Sequence, residues 1–88
     1  MRMRVMQVLI KETGKDENKS VDKESIWEKA CKLYSPVSEY TSSNTILKDR
    51  VFQELLHLGD IQSSQTDKEI RITRHGADKP KYQIPDNL

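Results

Sequence analysis

Residues 70–84 read IRITRHGADKPKYQI, and the architecture expected of the chain turns on their period. Ile70 and Ile72 alternate with Arg71 and Thr73, while Tyr82 and Ile84 alternate with Lys81 and Gln83. A two-residue repeat of apolar and polar positions is that of strands with one buried face. Between the two runs, His75, Gly76, Ala77, Asp78, Lys79 and Pro80 supply the glycine and proline of a tight reversal. The runs are therefore expected to pair as a hairpin, with Ile61 beginning the same sheet.

Upstream the period is longer. Met3, Met6, Leu9 and Ile10 fall at helical spacing with Val5 and Val8 beside them, and Gly14 supplies a stop, which predicts a first helix over residues 2–13. After a charged loop, Asp22 is placed to cap a second helix, with Glu24 in the first turn where the helix dipole favours an acid. Ile26, Ala30 and Leu33 share one face of it, Trp27, Cys31 and Tyr34 the adjacent one, and Pro36 prevents continuation much past Tyr34. Residues 37–43 are turn-like. A third helix starts at Asn44 or Thr45, turns Leu47, Val51, Leu55 and Leu58 inward, and stops at Gly59. Phe52 and Leu56 fall off that stripe and are expected to face away from it.

Helix, helix, turn, helix and hairpin within 88 residues predict a single α+β domain over residues 1–88. The order is that of a winged helix: a three-helix helix-turn-helix core with a C-terminal β-hairpin wing. Apolar residues gather into segments, which excludes global disorder. The densest apolar run, residues 3–10, is interrupted by Arg4 and Gln7 and falls short of the roughly 20 residues a membrane span needs. No membrane partner is expected. Cys31 is the only cysteine, which excludes an intramolecular disulfide or a multi-cysteine metal site and points to an intracellular protein, cytoplasmic or nucleoid-associated. Neither a phosphate-cradling glycine loop nor a nucleophile or metal-ligand spacing occurs, so no enzyme activity, metal or cofactor is expected.

The net charge of +1 conceals a polar distribution: residues 12–28 carry a local excess of three negative charges, residues 68–82 one of three positive charges. A basic end suits the approach of one face to phosphate. Ser42, Ser43, Asn44 and Thr45 stand at the start of the third helix, where backbone N–H groups and small polar side chains hold phosphate, and Lys48 and Arg50 add charge. The same small residues also serve simply as helix caps. Asp49 opposes phosphate. In the expected hairpin, Arg74, His75 and Lys79 lie at or beside the tip and Arg71 and Lys81 on its polar face. Arg74 and Lys79 are expected to reach backbone phosphates or a minor groove instead of folding back on the core.

The run from Val51 to Ile61 (VFQELLHLGDI), followed by Ile72, Thr73, Arg74, His75 and Gly76 and the run ending at Ile84, resembles the C-terminal winged-helix domain of archaeal origin-recognition initiators. Ile26, Trp27 and Cys31 fit the second helix of that pattern. The resemblance implies double-stranded DNA binding in replication-origin recognition; general winged-helix logic allows transcription regulation equally. The paired arginines usual early in that family's recognition helix fall here at Ile46 and Leu47, so the resemblance assigns those two positions no base-reading role. The alternative is a protein-interaction module that docks other subunits through an exposed Phe52 or Leu56.

Overall fold

The computed structural model describes residues 2–33 and 45–83, which form helix α1 (Arg2–Thr13), strand β1 (Val21–Asp22), helix α2 (Lys23–Leu33), helix α3 (Thr45–Leu58), strands β2 (Ile61–Ser63) and β3 (Glu69–Ile72), a single helical turn α4 (Arg74–Ala77) and a 3-10 turn (Pro80–Tyr82). It is a mixed α+β structure. The three strands make one antiparallel sheet in the order β1-β3-β2, with Val21 opposite Ile70 and Ile61 opposite Ile72.

The helices end where their local chemistry dictates. Asp22 caps α2, its Oδ2 accepting the Ser25 N–H at 3.1 Å. Gly59 ends α3 at φ +78°, and the chain closes with Gly59 N–H on the Leu56 carbonyl (3.1 Å) and Asp60 N–H on that of Leu55 (3.0 Å), a Schellman pair that a β-carbon would strain. Val5, Met6 and Leu9 of α1, Ile26, Trp27 and Ala30 of α2, Val51, Phe52 and Leu55 of α3 and Ile61, Ile70 and Ile72 of the sheet enclose one core.

Two expectations about faces are corrected. Phe52, expected outward, is buried, its ring 6.2 Å from that of Trp27, and Leu56 is half-buried against the core. Leu58, expected inward, is 38% exposed, as is Met3 at 43%. Phe52 packs against Trp27 of α2 and, with Leu56, lies beside Ile61 and Ile70 of the sheet, which widens the buried face of α3, while Leu58 in its last turn is left partly in solvent.

The larger correction concerns the hairpin. β3 forms as its alternation predicts, but its hairpin partner is β2, and the reversal is made by residues 64–68, with Ser64 N–H on the Glu69 carbonyl (2.9 Å) and Asp67 at φ +61°. Residues 74–82 form no strand. Thr73 is extended and caps α4, its Oγ1 accepting the Gly76 N–H at 3.1 Å while donating to the Gly59 carbonyl at 2.6 Å. Gly76 is needed for contact: a β-carbon there would lie 2.4 Å from the Asp60 carbonyl oxygen and 2.9 Å from Met6 Cε. Tyr82 turns inward, its hydroxyl donating to Asp60 Oδ2 at 2.6 Å, so its apolar position reflects burial against α1 and Asp60 and not a strand period. Ile84 lies outside the described residues.

Candidate nucleic-acid interface

The residues expected to contact nucleic acid separate into two groups with different packing partners. Ser42, Ser43 and Asn44 lie outside the described residues. Thr45 opens α3 with its side chain exposed, and Arg50 is exposed one turn later. Lys48 is buried instead, and its ammonium pairs with Glu24 in the first turn of α2. Ion pairing there spans α2 and α3. Asp49 and Gln53 complete the exposed polar side of this helix.

The second group lies on the C-terminal segment, which packs on α1 through Gln7 Nε2 donating to the Gln83 carbonyl (3.2 Å). Arg74 is exposed, with its backbone N–H on Glu17 Oε1 at 3.1 Å. His75 is exposed, its Nε2 3.9 Å from Asp60 Oδ1. Lys81 is exposed with its ammonium 5.2 Å from the Tyr82 ring centre, at cation–π distance. Lys79 departs from expectation: it folds back on the core, Nζ lying 2.8 Å from Oδ1 of the fully buried Asp60, an ion-pair contact without hydrogen-bond alignment. A buried carboxylate needs a cation, and this demand outweighs the freedom of a surface lysine. Burial, and then the hydrogen bond to Asp60, push the Tyr82 hydroxyl well above its ordinary pKa. Arg71 is half-buried on β3, opposite Gln62 of β2.

The true hairpin turn, Ser64, Gln65, Thr66, Asp67 and Lys68, was not among the expected contacts. Its signal was a run of turn-forming polar residues between Ile61 and Ile70. Asp67 accepts from Ser63 Oγ within the hairpin and from Lys23 Nζ at 3.2 Å, and these bonds, Ser63 first, hold its carboxyl below the usual range. Between α3 and this hairpin lies a cavity of about 200 Å³, with Phe52, Leu56, Ile61 and Ile70 as apolar lining and Asp49, Gln53, Ser63, Asp67 and Lys23 as polar lining.

Among the described residues no group of three or more His, Cys, Asp or Glu side chains is placed to hold a metal ion, and no helix is long and apolar enough to cross a membrane. Comparison of the chain with protein-family models, with curated proteins and with solved structures finds no match.

Proposed function

We propose that the chain is a winged-helix domain that binds double-stranded DNA, with α3 against the major groove and the hairpin turn 64–68 against the adjacent backbone. The observation that carries this reading is topological. The order α1, β1, α2, α3, β2, β3 with the sheet arranged β1-β3-β2 places a helix with an exposed polar side next to a hairpin, the pairing by which winged helices meet a duplex. Thr45, Arg50 and Gln53 supply hydrogen-bonding groups on α3, and Lys68 and Arg71 supply charge on the hairpin. Arg74, His75 and Lys81 belong to the α1 side and are the weaker part of the interface. Lys79 is excluded from it by Asp60. By its resemblance, the role is origin recognition or transcription regulation, within the cytoplasm or nucleoid and with other protein subunits as further partners.

The test is a titration of fluorescently labelled duplex with the wild type and with Arg50→Ala. Loss of a base-contacting arginine is expected to cost about 1–3 kcal/mol and to relax sequence preference. Equal affinity of the two proteins for every duplex contradicts the placement of α3.

One observation favours a second reading. The groove between α3 and the hairpin has an apolar lining with Asp49 at its edge and Asp67 already paired with Lys23, which suits a protein partner that inserts an aliphatic side chain. This replaces the docking through an exposed Phe52, which burial rules out. Such binding responds little to salt, whereas phosphate binding responds steeply.

A further inference from the structure

Lys48 and Lys23 share an arrangement that the other ion pairs lack. The Lys48 side chain is 11% exposed and its ammonium meets Glu24, which is 57% exposed. Lys23 is 15% exposed and meets Asp67, which is 61% exposed. In each case the cation is seated in the protein and the carboxylate lies over it toward solvent. The Lys23 ammonium also rests 5.7 Å from the centre of the buried Phe52 ring, which holds it from below. By contrast, Lys29 and Glu12 pair at 2.6 Å with both side chains well exposed.

The asymmetry has a chemical meaning. A largely buried ammonium requires an anion beside it, while an exposed carboxylate is adequately solvated without a lysine. The protein therefore fixes the position of the anion more firmly than its identity. Both positions flank the proposed duplex-binding surface, one between the first turns of α2 and α3 and the other where α2 meets the hairpin turn. We propose that Lys23 and Lys48 define two anion positions that Asp67 and Glu24 fill in the free protein and that backbone phosphates take over when a duplex binds. This inference rests on the duplex-binding reading above. Glu24 and Asp67 then compete internally with the duplex, and each exchange adds one lysine–phosphate contact.

The experiment compares Glu24→Gln and Asp67→Asn with the wild type and with Glu12→Gln, which releases the exposed Lys29 by the same change of charge. Asn tolerates the positive φ of position 67, so the second variant keeps the turn and remains informative if Glu24→Gln folds poorly. Thermal melts in sodium phosphate and in sodium chloride of equal ionic strength form one readout. Phosphate is expected to raise the Tm of Glu24→Gln and Asp67→Asn and to leave the wild type and Glu12→Gln unmoved. The second readout is duplex titration over a salt series: each of the two variants binds more tightly than wild type, having no carboxylate to displace, with an unchanged salt slope because the same lysine–phosphate contacts form in both, and Glu12→Gln leaves the affinity near that of wild type. Phosphate stabilisation no greater than that of Glu12→Gln overturns the anion positions. Phosphate stabilisation with a salt slope steeper by about one unit in the two variants means that the wild type keeps its carboxylates in place on the duplex, and overturns the exchange. If no protein binds duplex while the phosphate effect persists, the duplex reading falls and the two anion positions stand.

Discussion

Asp60 ties the end of α3 to the C-terminal segment. It follows the glycine that ends α3, it is fully buried, and it receives the Tyr82 hydroxyl on one oxygen and faces the Lys79 ammonium with the other. Its backbone is engaged too, the carbonyl accepting from Thr73 N–H at 3.1 Å. Lys79→Ala leaves that carboxylate without its cation and is expected to destabilise the fold by about 3 kcal/mol, read as a lowered denaturation midpoint. An unchanged midpoint contradicts the ion pair. Gly76→Ala should also destabilise, because the new methyl meets the Asp60 backbone, and no side-chain rotation relieves that contact. Tyr82 adds a pH dependence of definite sign. Its folded pKa is raised above the ordinary value of 10.0, first by burial and then by the bond to Asp60. Its contribution is therefore fully present below about pH 10 and is lost as pH rises into strong alkali. Melts of wild type and Tyr82→Phe should differ by a constant amount near neutrality and converge above about pH 10; divergence there contradicts the assignment.

Among the elements, the helices were legible in the sequence because each carries its own punctuation: Gly14 and Gly59 as stops, Asp22 as a cap, apolar residues at i, i+3 and i+4. The sheet was legible only in part. Ile70 and Ile72 declare β3, but β1 is two residues long and too short to show a period, and β2 shows little more. Residues 74–82 misled because Gly76, Pro80 and Tyr82 are also what a hairpin uses; what distinguishes them is contact with Asp60, which no local pattern reports. The same limit explains the candidate site. Thr45 and Arg50 stand exposed as expected, whereas Lys48 and Lys79 are taken by Glu24 and Asp60, acids distant in sequence. Of the elements, α1 buries the most apolar side chains, but Leu55 of α3 is fully buried among Val51, Phe52 and the sheet, and Leu55→Ala is expected to cost about 2–5 kcal/mol in a denaturant titration. A loss below about 1 kcal/mol would place Leu55 outside the core.

For the molecule as a whole, the structure gathers α3 and a polar hairpin at one site while tying several of its lysines to acids. On the proposed reading, such a surface would meet a duplex through few phosphates unless those lysines are released. With Arg50, Lys68 and Arg71 as the exposed or half-exposed cations of α3 and the hairpin, about three counterions are expected to leave on binding. The decisive measurement is the affinity of the wild-type chain for labelled duplex DNA across a salt series. A linear fall of log affinity against log salt with a slope of about −3, or steeper if Lys23 and Lys48 also reach phosphate, is the predicted result. Affinity indifferent to salt, or no binding at low salt, contradicts the proposal that this domain binds DNA.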